Sequence, residues 1–462
     1  MSTLRITLKD LFNLPGSEIV NPDNYKAVSN VTIDSRKIEK GSLFIAIKGE
    51  KFDGHDFVKD VIKNGASAVV IEGKQYPRFD DIEVPFVLVD DTIKALGELA
   101  KVWRSKLKAK VISLTGSAGK TTTKDMIAAL LSEKFKVNKT MANNNNHIGV
   151  PLTILSTTNS HQVLVLEHGT NHFGEIAYTA EIAKPDYALI TNIGNSHLEF
   201  LKNKKGVLKE KVSLFETTKK RNRILFINKD DKLLSDLYKK YKKKITFGTR
   251  KRSDVNGKIL SYTDDGKPIV ELRYEGKKIK TEFNLYGEQS FKNLLAASSV
   301  AFKLGLNEKQ ILNGIKKLSP PYKRLNVTKY SDFILIDDTY NANPDSMKSS
   351  LELLSQIKIF KKKIAILGDM FELGDTSEKH HKNLASVIKK NKIDEVYTIG
   401  KMMKVLNKEL QGSGIEKKYF SSRDSLSDFI SMTDFSDSVI LVKGSRGMKM
   451  EEFVQKIKEK NI

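Results

Sequence analysis

The stretch Val111-Ile-Ser-Leu-Thr-Gly-Ser-Ala-Gly-Lys-Thr-Thr-Thr123 limits the folds open to this chain more than any other. Val111 to Leu114 is an apolar run that reads as a buried strand, and it breaks at Gly116. Lys124 to Lys134 then has helical periodicity and good helix formers. Strand, glycine-bearing turn and helix are the parts of a phosphate cradle. Gly116 and Gly119 let the backbone turn tightly, so that several N–H groups face one anion. The helix N-terminus adds partial positive charge. In such a cradle Lys120 reaches the outer phosphates and Thr121 offers its hydroxyl to Mg²⁺. The loop is a shortened one, because the first glycine of the usual spacing would fall at Leu114.

The rest of the chain agrees with an α/β nucleotide-binding protein. Its 462 residues suggest roughly three domains. No apolar run approaches the ~18 residues of a membrane span, and Met1 to Arg5 lacks the apolar core of a signal peptide. Zero cysteines exclude disulfides and thiolate-bound metals, and are consistent with a cytoplasmic protein. The net charge of +23 raises nucleic acid as a partner. The lysines are scattered, however, and the runs Lys239–Lys244 and Lys361–Lys363 read as solvated helix ends or turns. Without an aromatic-interleaved basic stretch, no nucleic-acid partner is expected. General attraction to acidic, phosphorylated ligands is the milder reading.

Residues 1–105 read as a small α/β domain with strands at Ser42–Ile47, Ala66–Ile71 and Pro85–Val89, and a helix near His55–Asn64. Its polar signatures, Asp34-Ser35-Arg36 and Phe52–His55, read equally well as ligand loops or ordinary turns. Residues 106–323 read as a central parallel-sheet domain. Strand Val163–Leu166 runs into Glu167, and strand Tyr187–Ile190 is followed by His197. Ligands of parallel sheets bind at the carboxyl ends of strands, so both side chains are candidate metal ligands. The Asn143–Asn146 run, a loop, offers amides to a polar substrate or is a plain turn cluster. Residues 245–286 read as an antiparallel appendage, Asn293–Leu304 as a helix and Pro320-Pro321 as a linker. Residues 324–462 repeat the α/β rhythm. Strands at Phe333–Ile336, Ile364–Leu367, Val396–Ile399 and Val439–Val442 end in polar clusters at Asp337–Asn343, Gly368–Glu372 and Lys443–Arg446.

Taken together these motifs resemble the Mur ligase family of peptidoglycan synthesis, over essentially the full chain. Within it, Asn145–Thr153, Asp337–Asp345, Leu367–Gly374 and Val442–Met448 look like the branch that joins D-alanyl-D-alanine to a UDP-muramoyl tripeptide. The resemblance implies a UDP-substrate domain, an ATP-binding domain and a C-terminal Rossmann-like domain, in that order. It implies that Gly116, Ser117, Ala118, Gly119, Lys120, Thr121 and Thr122 bind ATP phosphates, and that Asn293, Arg324, Asp338 and Tyr340 contact the nucleotide. Lys120, Lys211 and Arg324 are then catalytic. Mg²⁺, in two copies, is held by Thr121, Glu167, His197 and a carbamylated Lys211. Ser35 belongs to the UDP loop, and Asn145 and Asn146 to the substrate site. The partners implied are UDP-N-acetylmuramoyl tripeptide and D-alanyl-D-alanine, handled by a monomer. Ala142, Gln289 and Lys323 depart from the family's usual Gly, His and Gly. On composition alone Lys211 is a surface lysine, as plain as its neighbour Lys209. The rival readings are the sister ligase that adds the third peptide residue and a phosphate-loop kinase or regulatory protein.

Overall fold

The structure is a computed structural model that describes residues 4–320 and 323–459. Pro321 of the expected linker lies outside the described residues. The chain forms two compact units, the first from Met1–Thr115, Lys134–Leu189 and Val212–Leu225, the second from Gly116–Glu133, Ile190–Lys211 and Phe226–Ile462.

In the first unit, strands Glu18–Val20, Phe86–Val89, Ala66–Glu72, Ser42–Ile45 and Asn30–Thr32 lie side by side in that order. The first pair is antiparallel and the rest are parallel. Burial on both faces explains the apolar runs at residues 68–71 and 43–45 within two of these strands. A second parallel set places Val163–Glu167 between Lys110–Thr115 and Val137–Lys139. The helix Thr92–Lys106 packs beside it, capped by the Asp91 carboxylate, which accepts from the N–H groups of Ile93 and Lys94. Near the helix's end Trp103 is buried and donates its indole N–H to the Thr157 carbonyl at 2.8 Å.

In the second unit, Val255–Tyr262, Pro268–Tyr274 and Lys277–Glu282 form the antiparallel appendage, and Lys244–Gly248 joins it in parallel. A six-stranded sheet has the order Asn326–Lys329, Phe333–Asp338, Ser438–Lys443, Lys362–Gly368, Glu395–Ile399, Glu416–Phe420. Only its first pair is antiparallel. The strand-end clusters of the sequence therefore leave three adjacent strands at their carboxyl ends, where they bond to one another. Ser445 Oγ accepts from the Phe371 N–H at 2.8 Å and donates to the Ala342 carbonyl at 3.3 Å. Among the described residues no helix is long and apolar enough to cross a membrane.

Candidate active site

Gly116 has φ +156° and Gly119 φ +78°. A β-carbon on Gly116 would stand 1.8 Å from Thr191 Oγ1, and one on Gly119 would stand 2.4 Å from Asn293 Oδ1. Glycine is thus what lets Thr191 and Asn293 close against the loop. The following helix is Lys120–Leu131, with left-handed Gly119 as its N-cap, and so begins four residues before the Lys124 expected from periodicity. That places the N–H groups of Lys120, Thr121 and Thr122 in the first turn, where no intrahelical acceptor exists. Lys120 Nζ donates to the Gly116 carbonyl at 3.0 Å.

The segment 191–194, between the strand Tyr187–Ile190 and His197, clamps this loop, a role its sequence did not suggest. Thr191 Oγ1 donates to the Ala118 carbonyl at 2.6 Å, and Asn192 Oδ1 accepts from the Ala118 N–H at 3.0 Å. The Gly194 N–H donates to Ser117 Oγ at 2.9 Å. On the other side, Gln289 Nε2 donates to Asn293 Oδ1 at 3.2 Å. The departure from histidine at position 289 therefore keeps a donor on Asn293.

Lys211 is fully buried and its Nζ has no hydrogen-bond partner among the described residues, whereas Lys209 is exposed. The surface reading of Lys211 is thereby corrected. Burial first, and the nearby Lys120 second, hold its pKa well below the ordinary lysine value, against a small opposing effect of Glu210. The helix Lys204–Lys220 buries Val207, Lys211, Leu214 and Thr218, a stripe of 4-3-4 spacing, and this was the available signal.

His197 Nδ1 lies 2.8 Å from Glu372 Oε2, a contact the sequence did not suggest. The bond to His197 lowers the Glu372 pKa most; burial opposes it, and Lys120 adds to the lowering. The Arg324 guanidinium lies over the Tyr340 ring, 4.1 Å from its centroid. The Tyr340 N–H donates to the Lys323 carbonyl at 3.0 Å. Asp338 is occupied: it accepts from the buried Lys443 ammonium, from Ser350 Oγ at 2.6 Å and from the Leu325 N–H at 3.1 Å. Its carboxylate thus fixes the backbone next to Arg324. Lys443 and Ser350 were missed as its partners.

In the first unit, Glu167 is the last residue of its strand and is buried. Its Oε1 accepts from Asn145 Nδ2 at 2.8 Å, so Asn145 orients the carboxylate. Asn146 Oδ1 accepts from the N–H groups of Ile148 and Gly149, which ties it to the start of the helix Gly149–Leu155. Ser35 is half-buried in a short 3₁₀ turn headed by Asp34. Next to Glu167, His168 bridges Ser113 Oγ at 2.9 Å and Thr179 Oγ1 at 2.8 Å. Thr179 already donates to the Glu175 carbonyl, so the network assigns the proton to His168 Nδ1. Burial presses the His168 pKa down to about 3.

The other two departures have a backbone explanation. Ala142 has φ +46° and Lys323 φ +55°, both left-handed. The chain adopts there the conformation that glycine takes without strain. Among the described residues no group of three or more His, Cys, Asp or Glu side chains is arranged to hold a metal ion.

A glycine-bearing phosphate loop, its basic residue, a buried lysine and a Rossmann-like sheet with an arginine at its entry define a phosphate-loop, nucleotide-dependent enzyme. Residues 27–104 match the Mur ligase family catalytic domain, 114–301 the Mur ligase middle domain and 323–446 the Mur ligase glutamate ligase domain. The chain belongs to the Mur ligase family. It is 35% identical to the UDP-N-acetylmuramoyl-tripeptide–D-alanyl-D-alanine ligase of Bacillus subtilis, over 99% of each chain. It is 32% identical to the ligase of the same name from Escherichia coli, again over 99% of each. A MurF crystal structure from Acinetobacter baumannii superposes with a TM-score of 0.87 at 29% identity, covering 99% of this chain and 100% of that one. A MurF structure from Thermotoga maritima in complex with ADP superposes at 0.82 and 28% identity, covering 93% and 97%.

Proposed function

We propose that the chain joins D-alanyl-D-alanine to the terminal carboxylate of a UDP-N-acetylmuramoyl tripeptide, using ATP, as a monomer in the cytoplasm. The observation that carries this reading is full-length similarity to ligases named for that reaction. The structure of a diaminopimelate-adding ligase, the rival specificity, superposes at a TM-score of only 0.56 and 16% identity, a likeness of fold alone.

A carboxylate is a poor electrophile. Transfer of the γ-phosphoryl of ATP to it gives an acyl phosphate, whose carbonyl the dipeptide amine attacks. The C–O bond to phosphate breaks, phosphate leaves, and the amine loses a proton. The protein's part is positioning and charge neutralisation. In this reading residues 116–122 cradle the phosphates, with Lys120 on the outer ones and Arg324 on the transferred group. Asn293 and Tyr340 face the nucleotide, and Asp338 acts by holding the backbone beside Arg324. Ser35 serves the UDP moiety. Asn146 stays with the substrate loop, and Asn145 aims Glu167.

Mg²⁺, when bound, neutralises phosphate charge; Thr121, Glu167, His197 and a carbamate on Lys211 are its proposed ligands. Lys211 fits that role chemically. A buried ammonium beside Lys120 is unfavourable, and CO₂ added to the neutral amine, with loss of one proton, replaces it with an anion that Lys120 attracts.

The test is phosphate release from ATP. It is expected only with UDP-tripeptide and D-alanyl-D-alanine together, offered with either lysine or diaminopimelate at the third position. Robust turnover with free L-amino acids in place of the dipeptide would overturn the assignment.

A further inference from the structure

In the first unit a cavity of about 380 Å³ is lined by Arg104, Lys108, Lys184, Asp186, Arg221 and Arg223, with only Leu107 and Ala109 as apolar lining. It lies at the amino ends of the strands Lys110–Thr115 and Tyr187–Ile190. Glu167 is at the opposite, carboxyl end of the strand paired in parallel with Lys110–Thr115.

Five cations against one carboxylate leave a surplus of four positive charges around this space. The single acid is already engaged. Asp186 accepts from the Val111 N–H at 3.0 Å and from Arg104 Nη2 at 3.3 Å, and lies 3.6 Å from Arg223 Nε. Arg104 is the buried floor. Its guanidinium donates to the carbonyls of Ala183 at 2.8 Å, Leu107 at 3.3 Å and Lys184 at 3.2 Å. Burial and the neighbouring Arg221 and Arg223 weigh against its charge, while Asp186 supports it. Burial, Arg221, Lys101 and Arg104 weigh likewise on Lys184; Glu98, which opposes them, is paired to Lys101 at 3.4 Å.

Like charges crowded around one concavity cost stability that a bound anion would recover. The volume is that of a small-molecule site, and guanidinium forks match phosphoryl oxygens in geometry. A surplus of four charges suits more than one phosphoryl group.

We propose that this cavity is a second anion site, which binds a small soluble molecule carrying two or three linked phosphoryl groups.

The test is titration calorimetry with inorganic tripolyphosphate. It is done on the Lys120→Ala chain, which weakens the phosphate loop, and on the same chain with Arg221→Ala and Arg223→Ala added. The first is expected to bind tripolyphosphate, and the second to bind it roughly ten- to a hundredfold more weakly, as for the loss of two charge-assisted contacts. Both arginines are exposed and add to the crowding of like charge, so the melting temperature should not fall. Arg221→Glu alone, on the turn after the helix Lys204–Lys220, carries the same expectation should the triple variant fold poorly. Equal affinity with and without the arginines overturns the proposal. So does citrate bound as tightly as tripolyphosphate, which would mark a mere sink of charge. Arginine-dependent capture by phosphatidic acid vesicles without tripolyphosphate binding overturns it in favour of a membrane surface.

Discussion

The stacking of Arg324 on Tyr340 is open to a quantitative test. The guanidinium lies 4.1 Å from the ring centroid, well inside cation–π range, and both residues are half-buried. Such a contact is worth about 1 kcal/mol, between the exposed and the desolvated limits. If Arg324 meets the transferred phosphoryl, losing the stack releases its side chain and should lower kcat/KM by about fivefold. Tyr340→Leu removes the ring face, Tyr340→Phe keeps it, and Arg324→Lys exchanges the planar fork for a point charge. The backbone should hold in all three, because the Tyr340 N–H to Lys323 and the Leu325 N–H to Asp338 bonds need neither side chain. Steady-state kcat/KM for ATP would be measured for Tyr340→Leu, Arg324→Lys and the double variant, with Tyr340→Phe as control. The expected coupling is about 1 kcal/mol, with Tyr340→Phe near wild type. Single effects that add within about 0.3 kcal/mol would refute the reasoning, as would Tyr340→Phe being as damaging as Tyr340→Leu.

Three more outcomes are expected. Lys120→Ala should cut kcat by roughly 10²-fold or more, since one preorganised charge on a developing oxyanion is worth about 3 kcal/mol; an unchanged kcat would make the loop purely structural. With ¹³CO₂, a carbamate resonance should be seen by NMR in wild type and in Lys209→Ala but not in Lys211→Ala, whose lost activity a short carboxylic acid should partly restore. His168, with its pKa lowered by burial to about 3, supports the fold fully above the unfolded value near 6.5 and loses that support as pH falls from 6.5 toward 3. Relative to His168→Gln, wild type should therefore lose about 2 kcal/mol between pH 7.5 and pH 5 in urea melts, and parallel losses would contradict the buried neutral imidazole.

The strands were largely legible because burial on both faces writes them as apolar runs. Tyr187–Ile190 falls where the run does, and Val163–Glu167 gains only Glu167. The helix after the phosphate loop was misplaced because threonines dominate its first turn. Left-handed Gly119, with no side-chain cap, sets its start, and periodicity does not register a backbone angle. Lys211 was singled out by the family resemblance and not by composition, which treats every lysine alike; the helix stripe that buries it is the physical sign. The Asn145–Glu167, Asp338–Lys443 and His197–Glu372 pairs join positions up to 175 residues apart. No local spacing encodes such pairs; strand pairing brings the first two together, and the packing of the segments that follow strands of different sheets brings the third. The departures at Ala142 and Lys323 show the converse. The family pattern had marked glycine positions, and the left-handed backbone there is the reason.

Trp103 gives this chain an uneven optical signature. It is the sole tryptophan in the sequence, and it sits in the first unit with its indole hydrogen-bonded to Thr157. The second unit, which carries the phosphate loop and the Rossmann-like sheet, contains none. Excitation near 295 nm therefore watches one unit while far-ultraviolet dichroism watches both. Coincident melting curves from the two signals would mean that the units unfold as one. A red shift of emission that precedes or trails the dichroism would resolve them, with no label added to the protein.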